Sequence, residues 1–187
     1  MGLPLKNGSF DCLKRIKYTQ GTTNGSAVTA SSKAGAVQEV TLTLNALSIA
    51  TTDNGANGGQ GGVKIYDFQE GNIAILGASH NLTLTKVGAG IAATSTVLSS
   101  LGTALVTQNE ATLTGTEADI VASNSTVLAA GTGVSKARSS SYVTFDGTTT
   151  AKDLYLNLNV DATGSTANDA VLVSGTITIA YCTYGDY

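Results

Sequence analysis

Alternation of apolar residues with threonine recurs along this chain and leaves it little choice of fold. Val40, Leu42 and Leu44 alternate with Thr41 and Thr43, and Leu82 and Leu84 with Thr83 and Thr85. Successive side chains of a strand point to opposite faces, so each run buries one face and leaves the other exposed. Two longer runs lie near the C-terminal end. Leu154, Leu156, Leu158 and Val160 alternate with Tyr155, Asn157 and Asn159, while Val171, Val173, Gly175, Ile177, Ile179 and Tyr181 share one face of the second run. The polar stretch Asp161–Asn168 between them contains Gly164. The pair therefore reads as one long antiparallel hairpin, Asp153–Tyr181, whose strands are central to the fold.

Further strands are expected at Val63–Phe68, Asn72–Leu76, Gly102–Val106, Ser125–Ala129 and Ser141–Phe145, each bounded by Gly, Asn or Ser clusters. The one helix-like segment, Gly115–Val121, has room for a turn or two, with Thr116 as its cap and Glu117 and Asp119 near its start. Asp53–Gly62 contains Gly55, Gly58, Gly59, Gly61 and Gly62 and reads as a long mobile surface loop. Many short strands, thin connections and almost no helix predict an all-β fold, an antiparallel, jelly-roll-like β-sandwich. An extended N-terminal arm over residues 1–20 is expected to precede a single sandwich domain over residues 21–187.

Composition bears on what such a sandwich does. Charged residues are 12% of the chain, against about 25% in ordinary soluble proteins. A surface of hydroxyls, amides and methyls has few long side chains to immobilise and suits packing in a regular assembly. The same surface also suits a stable extracellular sandwich. Trp is absent, which excludes sugar-stacking platforms built on it, and Pro4 is the only proline, which excludes Pro-rich linkers.

Charge is unevenly placed. Lys6, Lys14, Arg15 and Lys17 against Asp11 give the first 18 residues +3, leaving −6 for the remainder of a chain whose net is −3. These four cations are candidate partner-binding residues, as are Tyr184 and Tyr187 at the other end. Such an arm docks on an acidic partner or a neighbouring subunit; the alternative is a strand with a solvated polar face. Direct nucleic-acid binding is not expected, because the body is acidic and no aromatic-basic interleaving follows the arm. Leu3 and Leu5 run straight into Lys6, Asn7 and Gly8, and no apolar stretch reaches about 18 residues. The expectation is a chain made in the cytosol, without a membrane span, in which Cys12 and Cys182 are separate thiols and not zinc ligands.

The residues offer little chemistry. His80 is the only histidine, in a turn-like setting of Ala78-Ser79-His80-Asn81, with no nucleophile marked beside it. Asp67 with Glu70, and Glu117 with Asp119, read as solvated loop acids and not as a hydrolytic pair across a cleft. Asp53–Gly58 resembles a calcium loop but lacks its alternating oxygen ligands and terminal glutamate. Gly88-Ala89-Gly90 and Gly131-Thr132-Gly133 lack the helix and lysine of a phosphate cradle and read as turns. No constellation supplies acid, base and nucleophile together, so neither catalysis, nor a cofactor, nor a metal is expected.

Three passages carry a resemblance: Val63-Lys64-Ile65-Tyr66-Asp67-Phe68-Gln69-Glu70-Gly71 with Ile73–Ala78; Leu113–Ile120; and Lys152–Asn157 through Gly175–Ile179 to Gly185-Asp186-Tyr187. Together they resemble small virion structural proteins of tailed bacteriophages, particularly of marine or cyanobacterial podoviruses and siphoviruses, of the kind that decorate or cement the head. The resemblance runs from about Val63 to the C-terminal end and involves no catalytic motif. It implies an oligomerising sandwich, trimeric in preference to dimeric, on the outer capsid surface of the virion. The major capsid protein would be its partner, and bridging of capsomers its role. A receptor-binding, fibre or adhesin-type module is the other reading, with Asp53–Gly62 carrying recognition.

Overall fold

Because the alternating runs can bury only one face each, they satisfy themselves by stacking two sheets. The computed structural model describes residues 22–23, 27–33, 37–107, 110–150 and 152–184. The strands are β1 (Thr22–Thr23), β2 (Val28–Lys33), β3 (Gln38–Asp53), β4 (Gly59–Asp67), β5 (Gly71–Lys86), β6 (Thr96–Gly102), β7 (Val121–Val127), β8 (Thr132–Arg138), β9 (Val143–Gly147), β10 (Asp153–Val160) and β11 (Asp169–Tyr184). All pairings are antiparallel, and the only helical pieces among the described residues are short 3-10 turns at Gly55–Asn57 and Gly115–Glu117. The fold is all-β and sandwich-like, as the alternation implied.

Sheet A runs β7-β6-β10-β4, with β1 also on β4. Sheet B runs β3-β11-β5-β8, with β2 on β3 and β9 beside β8 on β5. The sheets join at one side, where the end of β3 pairs with the start of β4 through Thr52–Gln60 and Asp53–Gly59. At the other side a tight turn from β7 to β8, closed by the Ala129–Thr132 bridge, carries the chain across. The result approaches a closed barrel.

Leu42, Leu82, Leu84, Leu154, Leu156, Leu158, Val160, Val171, Val173, Ile177 and Ile179 are fully buried and belong to one hydrophobic cluster between the sheets. Inward alternation from both layers builds such a core. At its β4 end Phe68 packs edge-on against Tyr66 and Tyr181, whose hydroxyls are 3.1 Å apart, and the Tyr181 hydroxyl donates to Gln38 at 2.9 Å. Burial, then the hydrogen bond to Tyr66, pushes the Tyr181 phenol well above its ordinary pKa.

Several expectations are corrected. The faces of β10 and β11 are as expected, but the two strands do not pair: β10 lies between β4 and β6, and β11 between β3 and β5. The segment between them crosses from one sheet to the other. Asn72–Leu76 and the Leu82–Leu84 run are parts of one strand, β5. Gly102–Val106 is not a strand, because β6 ends at Gly102, and β2 and β8 were not expected at all. Asp53–Gly62 is no long mobile loop: its second half begins β4, with Gly59, Gln60 and Gly61 buried. The 3-10 turn at Gly115 has Thr114, not Thr116, at its N-terminal boundary, with no side-chain capping bond.

Candidate functional site

Whatever this sandwich recognises must meet one of its two outer faces or its ends. Those faces differ in kind. On sheet A the outward row Gly62–Asn157–Ser100 lies beside the row Gln60–Asn159–Leu98. Segments 103–107 and 110–120 fold back over these rows. Asn157 accepts from the Val106 amide at 2.9 Å and donates to the carbonyls of Ala104 and Glu117, both at 2.9 Å. Ser100 donates to the Glu117 carbonyl at 2.7 Å, while Asn159 and Gln60 both donate to the Glu110 carbonyl. Glycine permits this approach: a Cβ on Gly102 would stand 2.3 Å from the Thr116 carbonyl oxygen, and one on Gly62 2.4 Å from Asn157 Oδ1.

The covering segment buries Glu117 and half-buries Asp119. Glu117 is 5% exposed, so it is not the solvated loop acid expected; its Oε1 accepts from the Thr107 amide at 2.6 Å. Asp119 accepts from the amide and hydroxyl of Thr103, yet burial outweighs those bonds and raises its pKa. Asp67 behaves as expected of a surface acid, 3.6 Å from Lys64, which also lies 3.2 Å from Asp153.

The outer face of sheet B carries no such cover among the described residues. Its rows cross β2, β3, β11, β5 and β8 as Ser31–Thr41–Thr178–Ser79–Arg138 and Thr29–Thr43–Thr176–Asn81–Lys136. Every side chain in the two rows is exposed or half-exposed. A register shift between Ala180 and Tyr181 inserts Leu76 as an extra residue on β5 and leaves it 47% exposed beside Gly77, above which a Cβ would meet nothing within 4 Å. Such bulges re-aim a side chain. A shallow groove over Gly77 and Ala180 results, with Glu39 on one flank and Arg138 on the other.

His80 is not in a turn. It sits inward in the middle of β5, 3% exposed, with Nε2 3.1 Å from Ser135 Oγ. Ser135 in turn lies 2.7 Å from Ser99 Oγ of sheet A and accepts from Asn124 at 2.9 Å, while His80 Nδ1 is buried without a partner. Burial lowers the imidazole pKa to about 4, so it is neutral at pH 7. Ser135 and Ser99 are fully buried. The cluster stitches the sheets together and is closed to a substrate.

Of the candidate partner-binding residues, Tyr184 ends β11 opposite Asn72. Lys6, Lys14, Arg15, Lys17 and Tyr187 lie outside the described residues, as do the arm and Cys12. Cys182 is a free, half-buried thiol. The Asp53 carboxylate accepts from Ser165 Oγ at 3.0 Å, and no group of three His, Cys, Asp or Glu side chains among the described residues is placed to hold a metal. Among them, too, no helix is long and apolar enough to cross a membrane. Gly88 and Ile91 donate their amides to Asp169, tying the loop after β5 to β11. Sequence reasoning missed the sheet B face because its rows join residues from five strands, although the outward Thr41, Thr43, Thr83, Thr176 and Thr178 were each visible.

Fold and faces together define an antiparallel β-sandwich with one self-covered sheet and one bare, hydroxyl-lined sheet. No protein family matches the chain, and no curated protein matches it. Among solved structures it is similar to the CBM22-1–GH10 modules of the N-terminal endo-1,4-β-D-xylanase 10B of Clostridium thermocellum, complexed with xylohexaose. The TM-score is 0.27 and the identity 11%, over 88% of this chain and 26% of that one. The chain thus spans about a quarter of that protein's length, and a likeness so slight bears on neither ligand nor activity.

Proposed function

We propose that this chain is a virion structural protein, a capsid decoration or cement protein that binds the outside of an assembled phage head and bridges its capsomers. The observation that carries this reading is the outer face of sheet B, with two uncovered rows of Ser, Thr and Asn side chains across four strands that end in Arg138 and Lys136 on the fifth. Threonine, serine and asparagine lose little rotamer freedom on contact and present methyls as well as hydrogen-bonding groups, which suits repeated protein contacts better than capture of a small molecule. The phrases resembling head-decoration proteins point the same way. A protein that binds only the closed lattice raises the free energy of opening it by mass action. Self-association belongs to the reading, as does attachment through the basic segment of Lys6, Lys14, Arg15 and Lys17. The reading includes no catalysis: the one histidine is shut between the sheets, and the loop considered for an adhesin's recognition is a tight turn leading into β4.

Co-sedimentation with heads stripped of decoration is the test. Saturable binding, with heads withstanding a higher temperature once coated, is expected; full-length protein that stays in the supernatant at all concentrations overturns the proposal.

A further inference from the structure

The groove beside Leu76 is flanked by opposite charges that have no ion-pair partner among the described residues. Glu39 stands on β3 and Arg138 at the end of β8, both exposed, with Ala180 and Gly77 between them. We propose that the outer face of sheet B binds a second copy of this chain face to face about a two-fold axis, each Glu39 pairing with the other copy's Arg138. This rests on the reading above and specifies its self-association, as a two-fold pair where the phage resemblance implied a trimer, with the sheet B face given to the second copy and attachment to the head left to the basic segment.

Isologous contact requires a patch complementary to itself, so that residue i meets j and j meets i. Strands lie about 4.8 Å apart and alternate residues of one strand about 6.8 Å apart. Glu39 is one strand to one side of β11, in the row of Ala180 and Gly77; Arg138 is two strands to the other side, one row away. The in-plane axis that exchanges these two positions runs obliquely along β11 and β5 and passes over the Leu76–Gly77 step. The extra, exposed leucine therefore meets its own counterpart at the axis, above a glycine that leaves room for both. The same operation lays Lys136 over β2 between Ser31 and Lys33, the residue opposite Glu39, so one cation of each copy meets a like charge at the solvated rim, where screening keeps the cost small. Apart from Leu76, only Thr, Ser, Asn, Ala and Gly lie between the charged corners, so no buried cation or anion is left unpaired in the middle.

Five strands by about seven residues make a face of about 24 Å by 24 Å, or about 580 Å² in plan, and side-chain relief brings its accessible area toward the roughly 800 Å² per partner of a standard interface. Two twisted sheets stacked face to face are a familiar packing, and the register shift at Leu76 supplies the central knob.

Sedimentation velocity on the full chain, with no particles present, tests this. A dimer is expected, and Glu39→Arg or Arg138→Glu alone should raise its dissociation constant about tenfold or more, since each places like charges opposite one another. The double variant Glu39→Arg/Arg138→Glu should return it to near the starting value. Both side chains are exposed, so folding is checked by circular dichroism, and Glu39→Gln and Arg138→Gln replace any reversal that does not fold. A monomer at all concentrations, a trimer, a dimer indifferent to the single reversals, or a double variant as weak as the singles overturns the proposal. Dimers that do not bind heads would refute decoration and leave the pairing standing; monomers that coat heads would do the reverse.

Discussion

Sheets A and B have equally apolar inner faces and opposite outer ones. Outside sheet A, Asn157, Asn159, Gln60 and Ser100 spend their hydrogen bonds on segments 103–107 and 110–120, which close over them. Outside sheet B, the rows carry Thr, Ser and Asn, ending in Arg138 and Lys136, with nothing from the described chain above them. Polar residues outside a strand thus serve two ends. Amides with two bonding directions anchor the chain's own loop, whereas short hydroxyls leave the surface available to another molecule.

The largest effect should come where the sheets are alike. Leu156→Asp in sheet A or Ile177→Asp in sheet B places a carboxylate among fully buried side chains and should cost about 5 kcal/mol, enough to prevent folding. A soluble variant with a cooperative melt would show that the inner faces are wrongly assigned.

Next comes the anchor that only sheet A has. Asn157→Ala removes a side chain that meets two carbonyls and an amide, so about 3–4 kcal/mol should be lost, limited by the loop's freedom to open and hydrate. Limited proteolysis should then cut within 103–120, and Thr178→Ala on sheet B should create no new cleavage site.

The histidine between the sheets sets the pH response. Its folded pKa of about 4 lies below the usual 6.5, so unfolded chains take up the proton first as pH falls. The stabilising contribution is complete above pH 6.5 and is lost as pH drops from 6.5 to about 4, by about 3 kcal/mol at most. Melting temperature should fall over that window, and His80→Gln should flatten the fall; an unchanged slope would remove His80 as its cause.

Smallest is the effect of the open face on the isolated fold. Thr43→Val or Thr178→Val should shift chemical unfolding by less than about 0.5 kcal/mol, as at surface positions without structural partners. A larger loss would mean that the face contributes to the fold as sheet A's does.

The residues themselves show why some of this was legible in advance. Leu154, Leu156, Leu158 and Val160 announce their burial because period two assigns a face directly. Periodicity says nothing of which strand lies alongside, so β10 and β11 read as a hairpin although their connection crosses between sheets. The histidine's place is readable in phase, since Ala78, His80, Leu82 and Leu84 alternate, but a polar residue in an apolar phase reads as a turn. Strand β8 was hidden because its inward residues are Gly133, Ser135 and Ala137, small or polar, while Val134 faces out. Segment 103–120 was hidden for another reason: its cover is held by backbone groups meeting Asn157, Asn159 and Ser100, a pattern without period.

Whether the open face is a meeting surface and the covered face is not can be read from one cross-linking experiment in a Cys12→Ser/Cys182→Ser background. Leu76→Cys places a thiol at the centre of the sheet B face, and Thr116→Cys places one on the exposed cover of sheet A. Mild oxidation at micromolar protein should convert the Leu76→Cys variant to a covalent dimer within minutes and leave the Thr116→Cys variant monomeric. Equal cross-linking of both, or of neither, would contradict the account.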